Sequence, residues 1–465
     1  MKKLIVLFAI FGMNHNTALA QTVEDIVSAP SNAFLGIGIG NASTLVALPN
    51  CKFELIAGAI SDGSGAGSFS RFQRQSNSFW QDLGKTTRAS GTAGADHYGR
   101  ALASTKVGNT TLLAVGAPEA SNGGLVEIFG YHKNSNNWVY QQTLTVSDAS
   151  ITDASAEFGY SLSMQGNHLL VGMPGRDSNA GGMVLYEFSN GQFNFVRAHQ
   201  SPLADSRAGE SAALSLPDYA VGMPFNSLPA TTSPGGLLGY FATYLEGTRL
   251  RVVEVEVGAG LTQAGPGDRC GASIVAPFDK SPSQFYIGCT RAARVVGLPG
   301  PQTIFELPLF QGELSFRHPD DLFNVNFGAA LSYTPQDGGK LIVTSIKSAL
   351  STSKNSFFVY DYDNSQNRFG PLTDRIDSPF PGGPNSFFNF GSDAAVAWPF
   401  VNVGVAQSNQ ASTPAPPNSS GNGGDGTSGQ HVIYNLEGAE PACSDDSLCF
   451  PVFNTNKEVS GLACL

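Results

Sequence analysis

Residues 158–188 read FGYSLSMQGNHLLVGMPGRDSNAGGMVLYEF, and this stretch decides the fold. Phe158-Gly159 opens an alternating strand, Tyr160 to Met164. Gly166-Asn167 is a tight turn of the kind that tolerates positive φ. Leu169 to Val171 is a second strand, stopped by Gly172-Met173-Pro174. A polar loop ends at Gly181-Gly182, Met183 to Phe188 is a third strand, and Gln192 to His199 reads as a fourth. A four-stranded sheet of this size cannot bury both faces alone, so it must stack on neighbours of its own kind.

The same order recurs along the chain. Tyr98-Gly99 leads through Leu112 to Val115, Gly116-Ala117-Pro118 and Gly123-Gly124 to Leu125 to Phe129. Ala208-Gly209 leads through Ala220-Val221-Gly222-Met223-Pro224 and Gly235-Gly236 to Tyr240. Looser copies start at Cys270-Gly271, Phe327-Gly328 and Phe390-Gly391, with second strands ending near Gly288, Ser345 and Gly404. A degenerate first copy runs from Phe34-Leu35-Gly36 to Leu55-Ile56-Ala57-Gly58. The marker glycines 99, 159, 209, 271, 328 and 391 are 50 to 63 residues apart. Seven four-stranded units at this period predict an all-β chain, a seven-bladed β-propeller with four-stranded antiparallel blades over residues 21–436. A length of 465 residues is then one ring rather than two or three domains.

Composition agrees. Charged residues are 14% of the chain, against about 25% in average usage. With 54 Gly, 27 Pro and 31 Phe the chain is turn-rich yet able to bury a core, which excludes general disorder and coiled coils.

Phe-Gly followed 13 or 17 residues later by Gly-Ala-Pro or Gly-Met-Pro resembles the FG-GAP repeat. That family builds the propeller of integrin α subunits and of secreted bacterial proteins, and the resemblance spans about residues 34–436. Calcium-binding copies of the family carry an Asp-rich loop between strands 1 and 2. Here those turns read Gln165-Gly166-Asn167, Val107-Gly108-Asn109, Leu216-Pro217-Asp218 and Gln336-Asp337-Gly338. None offers the several carboxylates that calcium needs, so no metal and no cofactor is expected.

Lys2 and Lys3, the apolar run Leu4 to Met13 and Ala18-Leu19-Ala20 read as a signal peptide cut after Ala20. The product is expected to be a secreted or periplasmic monomer with no membrane span. Losing the leader's two lysines leaves 24 basic against 37 acidic residues, a net charge of −13. That disfavours nucleic acid as a partner.

Six cysteines follow the leader, an even number that suits three disulfides better than a zinc site. Cys270 stands in a Phe-Gly marker and Cys289 ends the second strand of the same unit, so antiparallel pairing sets them side by side. Cys51, Cys443, Cys449 and Cys464 allow three pairings. Cys443–Cys449 with Cys51–Cys464 is the one that lets the 437–465 segment tie the end of the ring to its first blade.

Acidic residues precede the markers at Asp96, Asp153, Asp205, Asp268 and Asp321, in loops that open on one face of the ring. Each is expected to cap its own loop, or else to join an acidic ligand-binding rim. Arg317-His318-Pro319-Asp320-Asp321 is the densest polar cluster and a candidate contact on that face. Asp361 to Ser365 reads as a hairpin turn, and Phe225 to Ser233 and Gln407 to Gln430 as long loops, the latter mobile. Phe129, Tyr186, Tyr240, Tyr360 and Tyr434 recur on third strands and are assigned to the core. There is no G-x-S-x-G, H-E-x-x-H or P-loop motif, and no catalytic residue is named. The expected role is a non-catalytic binding or adhesion module for a protein or carbohydrate ligand. The alternative is a lyase or hydrolase acting on polysaccharide in the central funnel.

Overall fold

The computed structural model describes residues 22–28, 39–201 (with gaps at 50–51, 61, 77 and 90–93), 204–224 except 217, 239–244, 250–255, 270–299 (with gaps at 281–283 and 291–293), 316–320, 325–347, 354–380, 388–407, 429–437, 449–453 and 459–464.

Strands appear where alternation and turn residues place them. After β1 (Thr22–Ser28), the first full set is β2 (Ile39–Leu48), β3 (Lys52–Ala59), β4 (Ser68–Arg74) and β5 (Trp80–Thr86). The second is β6 (Leu102–Val107), β7 (Thr110–Ala117), β8 (Leu125–His132) and β9 (Asn137–Thr145). The third is β10 (Ser161–Gln165), β11 (His168–Gly172), β12 (Gly182–Ser189) and β13 (Gln192–Gln200). The fourth is β14 (Ala212–Ser215), β15 (Asp218–Met223), β16 (Gly239–Tyr244) and β17 (Leu250–Val255). The fifth is β18 (Cys270–Val275), β19 (Gln284–Cys289), β20 (Arg294–Pro299) and β21 (Phe316–Arg317). The sixth is β22 (Val325–Thr334), β23 (Lys340–Lys347), β24 (Ser356–Asp363) and β25 (Arg368–Asp377). Last come β26 (Phe388–Ala397), β27 (Phe400–Gln407), β28 (Gln430–Asn435), β29 (Cys449–Phe453) and β30 (Val459–Cys464).

Each set pairs antiparallel in chain order, so the protein is an all-β propeller of four-stranded blades. The sheets of β2–β5, β6–β9, β10–β13, β22–β25 and β26–β28 with β1 have described side chains in all four strands. The core lies between sheets rather than within them. Leu112, Val126, Leu169 and Tyr186 form one cluster across the second and third sheets. Leu45, Phe53, Trp80, Phe400 and Ile433 form another, where the last sheet meets the first. Phe129, Tyr186, Tyr360 and Tyr434 are buried in these layers, and the side chain of Tyr240 lies outside the described residues.

The glycine punctuation is the seam chemistry. A Cβ on Gly58, Gly116, Gly172, Gly222 or Gly288, each at the end of a second strand, would lie 1.9–2.2 Å from the carbonyl oxygen of the next sheet's marker glycine. Those markers are Gly99, Gly159, Gly209, Gly271 and Gly328. Two residues after three of the markers, a serine hydroxyl donates across the seam: Ser161 to Gly209 O at 2.7 Å, Ser211 to Gly271 O at 2.8 Å and Ser273 to Gly328 O at 2.7 Å. In the sixth sheet Ala330 takes the serine's place, and Thr344 supplies the donor instead, at 2.8 Å from Gly391 O.

Three expectations need correction. In the first sheet Ser43 faces Ala57 as Leu102 faces Val115 in the second, so the marker position falls on Ile39-Gly40 and not on Phe34-Leu35-Gly36. The ring is closed by the N-terminal strand: β1 pairs with β28 as the outer strand of the last sheet, and Asp25 accepts the Trp80 amide of the first sheet at 2.9 Å. The C-terminal hairpin β29–β30 meets the second sheet instead, where Cys464 is bridged to Lys106 of β6. Within that hairpin Cys449 is the register partner of Cys464, a different juxtaposition from the expected Cys443–Cys449 and Cys51–Cys464. Cys51 and Cys443 lie outside the described residues. Cys289 is disulfide-bonded and Cys270 faces it in register.

Candidate functional site at the mouth of the central channel

The inner strands β2, β6, β10, β14, β18, β22 and β26 all line one central cavity of about 280 Å³. Among the described residues its wall carries no charged side chain: hydroxyl and amide groups such as Ser43, Thr44, Ser104, Ser163, Gln165 and Tyr333 stand among mostly aliphatic side chains. Charge appears at the marker end. Arg100, Tyr160 and Glu210 each directly follow a marker glycine, two residues ahead of Leu102, Leu162 and Ala212 on the channel wall. They stand at its mouth.

Around them sit His97, Glu157 and Arg207, each two residues before a marker and each with positive φ, 52°, 56° and 50°. Non-glycine residues hold that backbone only where surrounding bonds enforce it. Arg207 supplies several of these bonds. Its Nη2 donates to Glu157 Oε2 at 2.8 Å and its Nε to Glu210 Oε1 at 2.6 Å. Burial works against the Arg207 charge, but Glu210 and Glu157 outweigh it and hold the guanidinium above its usual pKa. Arg100 Nη2 donates to the Tyr160 hydroxyl at 2.6 Å. The Arg100 and Arg207 guanidinium carbons lie 4.4 Å and 5.7 Å from the Tyr160 ring centre. His97 Nδ1 is 2.8 Å from Glu119 Oε1 on the same rim.

The side chains of Glu157 and Glu210 are 30% and 13% exposed, so solvent and ligand reach both. Neighbouring nitrogens of one guanidinium hold the two carboxylates close to each other at the channel mouth.

The sequence candidates lie elsewhere. Asp96 is buried against Arg88, 2.7 Å away. Asp153 accepts the Ser155 amide and hydroxyl and the Asp177 amide. Burial opposes its charge, but these bonds prevail and hold its pKa below the usual carboxylate value. Asp205 is exposed at a turn, and Asp268 and Asp321 lie outside the described residues. His318 is buried with its ring edge-on to Phe327 and Phe358, and burial pushes its pKa down. The structure does not bring the described candidates, Asp96, Asp153, Asp205 and His318, together. The Phe225–Ser233 loop and residues 408–428 of the Gln407–Gln430 loop are outside the described residues, and Asp363 caps the turn to Ser365. The mouth residues carry one usable signal, their fixed offsets of −2 and +1 from each marker glycine.

A second polar group lies where the last sheet meets the first. Ser43 Oγ donates to Asp393 and accepts from Asn402 Nδ2 at 2.8 Å. Asn402 also lies 2.9 Å from Nδ1 of the buried His431. Asp393 holds the position of the seam serines, two residues after Gly391. Burial pushes its carboxyl up to about 6, against hydrogen bonds from Ser43 and Ala394. A carboxyl raised in the fold stabilises it below its unfolded pKa and loses that contribution as pH rises through the folded value. The melting temperature is therefore expected to fall across about pH 4 to 6, and Asp393→Asn to flatten that step. A profile unchanged by the substitution would assign the step to another group.

No family model matches the chain, and no curated protein matches it. Solved structures do. The α-L-arabinanase of Penicillium chrysogenum, complexed with arabinobiose, matches at 16% identity and a TM-score of 0.46, covering 74% of this chain and 98% of that one. An α-L-arabinofuranosidase of Fusarium graminearum, with an iminosugar inhibitor, matches at 11% identity and a TM-score of 0.42, covering 71% and 93%. At this identity the likeness concerns fold alone. Those two structures are an arabinanase and an arabinofuranosidase, not integrin-like repeat proteins, and the expected non-catalytic adhesion module is not carried further.

Proposed function

We propose that the protein is a polysaccharide-acting hydrolase whose reacting groups are Glu157 and Glu210. The observation that carries this reading is the pair of solvent-reachable carboxylates bound to one guanidinium at the channel mouth. In such a reaction one carboxyl protonates the departing glycosidic oxygen. The other takes a proton from the attacking water, or attacks the anomeric carbon itself before water releases the sugar. Arg207 would hold both carboxylates in place, and Tyr160 would offer an aromatic face to a sugar ring.

The proposal includes a seven-bladed ring, supported by the inner strands of seven sheets around one cavity. It also includes export with cleavage after Ala20, which leaves β1 intact from Thr22. Among the described residues no helix is long and apolar enough to cross a membrane.

The test is release of reducing ends from a panel of polysaccharides. Glu157→Gln and Glu210→Gln are each expected to lower turnover by about a hundredfold or more, with the fold retained by circular dichroism. Full activity in both variants, or no release by the wild-type chain from any member of the panel, would sink the reading.

A further inference from the structure

Arg71, Arg74, Arg88, Arg207 and Arg375 each hold a carboxylate oxygen at 2.6–2.8 Å. That is the expected condition in a chain with 37 acidic and 26 basic residues. Arg100 differs. It is half-buried, and among the described residues its side chain donates to the neutral hydroxyl of Tyr160 and meets no carboxylate. Removing a guanidinium from water without an anion is costly, and an arriving carboxylate recovers that cost. Its position narrows the identity of that anion. Arg100 shares the Tyr160 ring with Arg207, which carries the Glu157–Glu210 pair. An anion on Arg100 therefore belongs to a molecule lying across the proposed reaction centre.

We infer that the channel mouth selects an acidic glycan, with Arg100 binding the carboxylate of a uronate residue beside the Glu157–Glu210 pair. The inference rests on the reading of that pair as the reacting groups. A planar fork that meets no carboxylate among the described residues matches one planar carboxylate, and such charge-assisted pairs are about twice as strong as neutral hydrogen bonds. The phenol of Tyr160 holds the fork in place before the ligand arrives.

The experiment is calorimetric titration of the wild-type protein with an oligogalacturonate, a neutral arabino-oligosaccharide of equal length and a sulfated oligosaccharide. The oligogalacturonate is expected to bind at least tenfold more tightly than the neutral chain. Arg100→Met is expected to erase that preference with the fold retained by circular dichroism, and Arg100→Lys to restore part of it. Equal affinity for the acidic and neutral chains, preference for the sulfated one, or a preference that survives Arg100→Met would each overturn the inference. Chain cleavage is read separately. Arg100-dependent binding of oligogalacturonate with no new reducing ends, or with an unsaturated uronate end from elimination, sinks the hydrolase reading and leaves this one standing. Cleavage of neutral chains with no acidic preference does the reverse.

Discussion

Gly116→Ala is expected to destabilise the ring by about 4 kcal/mol or more, because the added methyl has no place to go. Its Cβ would lie 2.0 Å from the carbonyl oxygen of Gly159 and 3.0 Å from its carbonyl carbon, both backbone atoms of the next sheet. A side chain could rotate away. Here the third sheet itself must retreat, and its Gly159 amide already bonds Gly172 O at 3.2 Å. Gly172 in turn touches Gly209, so displacement at one seam is passed to the next. The control is Gly191→Ala, at a hairpin turn where φ is +84° and nothing lies within 4 Å of the new Cβ. That change should cost only about 1–2 kcal/mol of left-handed strain. Urea unfolding of the two variants reads the difference. Equal costs would show that close backbone contact between sheets is not what the second-strand glycines secure.

Deleting residues 22–28 is expected to cost about 5 kcal/mol and to promote association, whereas truncation after residue 437 should be far milder. β1 is a small segment with many attachments. Ile26 and Val27 are buried at 4% and 2% exposure, in the two clusters that flank the last sheet. Glu24 pairs with Arg74 at 2.7 Å, and Asp25 accepts the Trp80 amide, so β1 also grips the first sheet. Its loss would bare the β28 edge, a template for pairing with another molecule. The C-terminal hairpin, by contrast, is bridged to the ring at Cys464 and Lys106. Thermal unfolding and light scattering on both truncations decide the matter. A greater loss on removing the C-terminal segment would contradict closure by β1.

Much of the fold was legible because its punctuation is local. The Phe-Gly markers, the second-strand glycines and the Gly-Gly pairs mark strand ends in the sequence, and the strands β10–β13 fall where residues 158–199 place them. Cys270 and Cys289 followed from antiparallel pairing within one unit. The first marker was misplaced because Ile39-Gly40 lacks an aromatic residue, whereas Phe34-Leu35-Gly36 offers one a few residues upstream. The candidate site was not legible for a different reason. Asp96, Asp153 and Asp205 were picked out by recurrence, but a recurring acid serves its own loop, as Asp153 does with Ser155 and Asp177. Glu157 and Glu210 are not repeated at their offsets in the other units, and Arg207 only as Arg269, so the positions are fixed but the residue types are not.

The amino-acid sequence by itself determined the repeating four-stranded sheet and its glycine seams, because hairpin turns and alternation act over a few residues and write themselves into every copy. Only the tertiary structure decided which ends meet and which charges converge. Strand β1 reaches β28 from more than 400 residues away. Arg100, Tyr160 and Arg207 meet only because three successive sheets turn their marker loops toward one axis. Ring closure and radial convergence bring together residues from separate units, and no local pattern within a unit encodes that proximity.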